Sequence, residues 1–254
     1  MPADFTDHFS AVAEAYAAAR PTYPPALFHH LAGLAPARGH AWDCAAGNGQ
    51  AALALAARFA RVTATDASAA QIAQAPRHPG VTYRVAPAAE SGLPDSSVDL
   101  ITVAQALHWI DFPGFYEEAG RVLVRNGLIA VWCYGLQRVD DDALDQRLEH
   151  FYRCVVGPYW APERALVETG YRSLPFPFEE LRPPPFEMAH RWLLAELLAY
   201  LRTWSATAAF VTARGFDPVT SLGEELAPLW GPGHRRRRVR WPLSLRIGRP
   251  RRSA

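Results

Sequence analysis

Between residues 40 and 134, short apolar runs alternate with stretches whose apolar residues recur at helical spacing. "HAWDCA" reads as a first strand, "RVTATD" as a second and "VTYRVAP" as a third, while "SVDLITVAQAL" and "GLIAVWCY" hold a fourth and fifth. Between them "GQAALALAARFA", "SAAQIAQAP" (stopped by Pro76) and "PGFYEEAGRVLV" read as helices. Strands that alternate with helices build βαβ units, so the pattern predicts an α/β fold with an open, doubly wound, mostly parallel sheet.

On either side the rhythm differs. "DHFSAVAEAYAAARPTYPPALFHHLAGL" predicts two helices broken at Pro21–Pro25. Beyond Tyr134 the pattern predicts a helix over 140–156, an aromatic stretch punctuated by prolines, and helices over 188–203 and 217–230. "FEELRPPPFE" admits a strand that Pro183–Pro185 would interrupt, which suits a sheet edge. "VRWPLSLRI" reads as a closing strand despite Pro242. The chain thus divides into an N-terminal helical cover segment (1–38), a sheet core (39–134), and helical cap segments with closing strands of the same domain (135–254).

Half of the 254 residues are hydrophobic and a fifth are charged, as in soluble globular proteins. No apolar run approaches the roughly 20 residues that span a bilayer, and "MPADFTDHFS" lacks the basic start and apolar block of a signal peptide. Cys44, Cys133 and Cys154 have no metal-ligand spacing, so the expectation is a reduced, cytoplasmic protein without a metal. Charge adds one complication. There is no lysine, and the last 20 residues hold nine arginines and no acid, leaving 17 arginines against 25 acids, or −8, in the remainder. A basic tail on an acidic body admits a nucleic-acid arm. Its arginines also flank a strand, where they would be solvated edge residues, and that reading is preferred.

Ligands of open parallel sheets bind beyond the carboxyl ends of the strands. The first strand delivers "DCAAGNGQ" there, where Gly47 and Gly49 allow a tight turn and close backbone approach, and Gln50 follows. Asp43 would orient this loop or accept hydrogen bonds from a cationic ligand. Asp66 ends the second strand 23 residues on, at the spacing of a carboxylate that accepts from a ribose diol. Against the dinucleotide fingerprint the loop is incomplete, with Ala45 in place of the first glycine and no third. Two such features on consecutive strands point to a nucleoside ligand, although each alone has a plainer reading as a tight turn or a helix cap.

"WDCAAGNGQ", "ATDAS", "LPDSSVDLITVAQALHW" and "RVLVRNGLIAVW" together resemble the successive motifs of class I S-adenosylmethionine-dependent methyltransferases. "FSAVAEAYAAARPTYP", "LAYLRTWSA" and "VRWPLSLRIG" resemble the trans-aconitate methyltransferase-like, small-molecule branch. The resemblance implies a Rossmann-like, seven-stranded sheet with helical cap segments, and S-adenosyl-L-methionine as cofactor. It implies that Ala45, Gly47 and Gly49 wrap the methionine portion, that Asp66 holds the ribose hydroxyls, and that Ala67, Ala89 and Glu90 border the adenine. Gln105 would lie under the methionine part, with Tyr16 and Arg20 in a cover segment where Arg20 pairs with the cofactor carboxylate. Where the family has Pro–Gly before the fifth strand, this chain has Asn126–Gly127.

His108, just past the fourth strand, is the candidate base for an acceptor hydroxyl or amine; its alternative is a helix-start or packing role. A carboxylate acceptor needs no base. Trp109, Tyr134, Tyr159, Trp160 and Trp204 are the candidate walls of a pocket that excludes water. The expected function is methyl transfer to a small-molecule acceptor, with O-methylation favoured. The alternatives are a nicotinamide-dependent oxidoreductase, and a non-catalytic protein of the same fold that binds a partner or nucleic acid through its basic tail.

Overall fold

The computed structural model describes residues 20–251. Tyr16 lies outside the described residues. The sheet contains β1 (His40–Cys44), β2 (Arg61–Asp66), β3 (Val81–Val85), β4 (Val98–Ala104), β5 (Leu123–Tyr134), β6 (Arg138–Val139), β7 (Glu179–Leu181), β8 (Phe186–Trp192) and β9 (Arg237–Arg249). The first five are parallel neighbours in the order β3-β2-β1-β4-β5, and antiparallel β9 follows β5. β1 is buried along its whole length and β4 nearly so, because helices cover both faces.

The nine strands fill seven rows. Gly248 of β9 pairs with Ile129 of β5 on one edge and Glu180 of β7 on the other, while Arg240 pairs with Arg138 of β6 and Ala189 of β8. β5 and β6 therefore share one row and β7 and β8 another, the latter split by Pro183–Pro185 as expected. Pro242, which has no N–H to donate, falls opposite the break between β5 and β6.

Nine α-helices are described: α1 (Pro25–Leu34), α2 (Gln50–Ala56), α3 (Ala69–Ala73), α4 (Phe112–Val122), α5 (Asp142–His150), α6 (Arg164–Glu168), α7 (Leu194–Arg202), α8 (Ser205–Arg214) and α9 (Pro218–Trp230). α2 reads "QAALALA", and its small side chains seat it closely on Ala41 and Ala64 of the sheet. Asp141 caps α5 by accepting from the N–H groups of Ala143 and Leu144.

Two expectations are corrected. The stretch predicted as a helix over 188–203 begins as β8, which pairs with β9 along its length, and becomes helical at Leu194. α8 was absent from the pattern, and the helix predicted over 140–156 ends in a π-helical turn at Phe151–Val155.

Candidate functional site

The glycine loop leaves β1 at its carboxyl end and turns into α2. Ala45, Gly47 and Gly49 have φ of +53°, +56° and +84°, so three of five consecutive residues are left-handed. A Cβ on Gly49 would stand 2.5 Å from the Tyr83 hydroxyl. The loop is clasped by Asp66, whose two carboxylate oxygens accept from Gly47 N–H and Ser68 N–H, each at 2.8 Å. Each carboxylate oxygen has two lone pairs, the chemistry that suits ribose hydroxyls. Ala67 is exposed beside it. Gln50 donates to the carbonyl of Pro21 and joins the loop to the N-terminal segment.

Asp43 lies beneath this loop, fully buried. One of its oxygens accepts from Thr102 Oγ1 at 2.7 Å, and the other has no partner among the described residues. Burial pushes the carboxyl up to about 7, against the opposing pull of the Thr102 hydroxyl. A buried carboxylate with a vacant acceptor suits an ammonium group, such as that of the methionine portion of S-adenosylmethionine. The donor and acceptor set therefore fits that cofactor.

Ala89 and Glu90 are exposed on the loop after β3, which is held from behind. Glu118 of α4 accepts from the Ser91 N–H at 2.8 Å and is gripped by Arg121, which also donates to the Leu93 carbonyl. The Ser91–Glu118–Arg121 brace was not anticipated from the sequence; Glu118 sits on the buried face of α4, where an acid at an apolar helical position was its one signal.

A pocket opens beyond the ends of β4 and β5, and it gathers most of the remaining expected residues. Arg20, Gln105, His108, Trp109, Tyr134, Trp160 and Trp204 all line it. Arg20 donates to Tyr134 Oη at 3.0 Å and lies 5.6 Å from the centre of the Tyr200 ring. Gln105 has a φ of +57°, and its side-chain amide both donates to and accepts from the Tyr134 backbone, at 3.2 and 2.8 Å. Its carboxamide therefore fixes the chain at the pocket floor. Tyr159 does not reach the pocket: its ring packs edge-on against Phe210, and its hydroxyl accepts from Arg214. Arg164, which the sequence reading did not single out, does line it.

His108 is buried, and its Nδ1 lies 2.8 Å from Tyr171 Oη. Burial, helped by the Arg164 charge, lowers its pKa to about 3. Such an imidazole stays neutral at physiological pH and is a weak proton acceptor, which argues against the expected role of general base.

The methyltransferase domain family matches residues 42–131, which hold the glycine loop, Asp66 and Gln105. A candidate methyltransferase of Dictyostelium discoideum is 35% identical over 228 residues, 89% of this chain and 87% of that protein. The solved structure of a candidate type II methyltransferase from Anaeromyxobacter dehalogenans is 48% identical, covers 91% of this chain and 99% of that one, and superposes with a TM-score of 0.86. The [4+2]-cyclase SpnF, 15% identical, covers 96% of this chain and 94% of its own with a TM-score of 0.51, a likeness of fold alone. On the glycine loop, the acid after β2 and these likenesses, the chain belongs to the class I methyltransferases, a fold that implies binding of S-adenosylmethionine.

Proposed function

We propose that this chain transfers a methyl group from S-adenosylmethionine to an oxygen of a small-molecule acceptor held in the pocket beyond β4 and β5. The observation that carries the reading is the meeting of two sets of residues at one place. Arg20 and Gln105, expected to face the methionine portion, line one pocket with His108, the candidate base, and with Tyr134, Trp160 and Trp204, expected as walls of the acceptor site.

When bound, S-adenosylmethionine supplies a methyl carbon on a sulfonium, already electrophilic. The acceptor oxygen forms a bond to that carbon as the carbon–sulfur bond breaks with its electron pair to sulfur. What the protein adds is position and exclusion of water. Asp43 would receive the ammonium, Asp66 the ribose hydroxyls and Arg20 the carboxylate. Ala67, Ala89 and Glu90 would border the adenine. Trp160 and Trp204 would wall the acceptor off from solvent, with the more exposed Trp109 at the rim. His108, neutral at physiological pH, would help orient the acceptor from the pocket wall.

The arginine-rich strand has structural partners that account for most of its charge. Arg236, Arg237, Arg238, Arg240 and Arg246 pair with Glu196, Asp141, Glu187, Asp140 and Glu180. This supports a stitched strand over a nucleic-acid arm.

Calorimetry tests the cofactor reading. S-adenosylmethionine and S-adenosylhomocysteine are expected to bind with one site per chain, and NAD not at all. Binding of NAD with no binding of S-adenosylhomocysteine would refute it.

A further inference from the structure

We propose that Gly114, Glu118 and Arg121 of α4 are positioning residues for the adenine end of the cofactor: they shape the segment after β3 so that Ala89 and Glu90 meet the base. The proposal rests on the cofactor reading above and adds to it residues that would not themselves touch the ligand.

Residues 86–97 run from the carboxyl end of β3 to the start of β4 without helix or strand of their own. Their course is fixed by partners instead. The Ala86 N–H donates to the Asp66 carbonyl at 3.0 Å, which starts the segment beside the acid assigned to the ribose. The Ser96 and Ser97 N–H groups donate to the Arg121 and Val122 carbonyls at 2.9 and 2.8 Å, which ends it against the last turn of α4. Between these ends Ala89 and Glu90 are exposed, and the next residue, Ser91, is buried.

At Ser91 the helix takes hold. Glu118 Oε1 accepts from the Ser91 N–H at 2.8 Å and from the Ser91 hydroxyl, whose oxygen accepts in turn from the Leu93 N–H at 3.1 Å. Arg121 grips both oxygens of Glu118, Nε on Oε2 and Nη2 on Oε1, each at 2.8 Å. The same Nη2 donates to the Leu93 carbonyl at 2.8 Å, and Nη1 meets Asp95 further along.

Packing alone does not call for this arrangement, since replacing a buried ion pair by apolar groups is often neutral or stabilising. What a fully bonded network adds is a single course for a segment that has no ladder to hold it. One turn earlier on the same helix, a Cβ on Gly114 would stand 2.8 Å from the Ala89 Cβ and as close to Asp111 Oδ2, so glycine is what lets α4 approach the segment there. Gly114 and Glu118 are four residues apart and share a helix face. That face bears on the segment at Ala89 and at Ser91, on both sides of Glu90.

The test is calorimetric titration of the full chain with S-adenosylhomocysteine and with S-inosylhomocysteine, which carries an oxo group in place of the adenine amino group. Wild type is expected to prefer the adenine compound by about tenfold or more, because a site that hydrogen-bonds an amino group rejects the analogue without it. Glu118→Gln keeps the shape but sets an amide N–H against the donors of Arg121. Its affinity for S-adenosylhomocysteine should fall roughly 5- to 30-fold, the cost of ordering a loosened segment on binding. Its affinity for S-inosylhomocysteine should change by less than about twofold, so that most of the preference is lost. Gly114→Ala leaves the Glu118 brace intact and displaces Ala89, and it should narrow the preference in the same way. If Glu118→Gln does not fold, Gly114→Ala decides. The proposal is overturned if wild type binds the two compounds alike, or if the variants bind both as wild type does. It is equally overturned if both affinities fall by the same factor, the result of a brace that serves the fold alone. Failure of the wild type to bind S-adenosylhomocysteine is a different result, and refutes the cofactor reading instead.

Discussion

Ala45 occupies a left-handed backbone position, φ +53°, where the family motif has glycine. An L-residue pays roughly 1–2 kcal/mol there, while glycine costs roughly 0.5–1 kcal/mol through the freedom it adds to the unfolded chain. Ala45→Gly should therefore stabilise the protein by about 0.5–1 kcal/mol, read as a higher urea midpoint at unchanged slope. Asp43 beneath it makes a pH-dependent prediction. With its carboxyl raised to about 7 against an ordinary 3.8, the folded state keeps a proton that the unfolded chain releases from about pH 4. Stability from this group is therefore greatest at low pH, falls as pH rises towards 7, and is level above that. Urea unfolding of wild type should lose stability relative to Asp43→Asn between pH 5 and 7, by at most about 1.4 kcal/mol per unit. A parallel pH course of the two proteins would show that Asp43 is not the group. The placement of Asp43, the glycines and Asp66 at one end of the sheet was legible because their spacing is set by the strand ends that carry them. Arg164 was not: nothing local distinguishes it in "APERALVE" from a helix-surface arginine, and its neighbours Trp204 and His108 lie 40 and 56 residues away in sequence.

The elements were legible where period and length agreed. Five parallel strands and the edge position of the proline-rich stretch follow from apolar runs and from the missing N–H of proline. β8 was misread because "FEMAHRW" runs straight into "LLAELLAYLR", and apolar residues at helical spacing continue across the junction. The ladder with β9 decides the matter, since all seven residues of β8 pair with it, and such tertiary pairing overrides local preference. The Asn126–Gly127 substitution is absorbed without loss. Asn126 takes a φ of +64°, a conformation that asparagine tolerates, and β5 resumes its pairing with β4 at Leu128. Tyr159 was expected at the pocket because it lies in a segment expected to cap the site. The 3₁₀ turn at Gly157–Tyr159 instead sends it towards α8, whose Phe210 and Arg214 it meets.

At the scale of the whole molecule, β9 joins what the sequence divided. Its first half, through Val239 and Trp241, is buried in the core of the cap helices, and its second half, through Ile247, in the core under the sheet. Leu243 packs against both. Arg237, at the start of this strand, adds a polar stitch: its guanidinium meets Asp141 at the start of α5 and donates to the Leu229 and Trp230 carbonyls at the end of α9. Helix carbonyls at that end have no intrahelical partner, so one half-buried arginine satisfies two of them along with an N-cap carboxylate. Cap and sheet should consequently unfold as one cooperative unit, with tryptophan fluorescence and far-ultraviolet circular dichroism tracing the same transition. Arg237→Met keeps the apolar stem and removes the charged contacts, so it should lower stability by roughly 2–3 kcal/mol while the two probes stay coincident. If the fluorescence transition of Trp160 and Trp204 instead separated from the loss of secondary structure, the cap would be an independent unit. The arginines of β9 would then stitch helices to one another without holding them to the sheet.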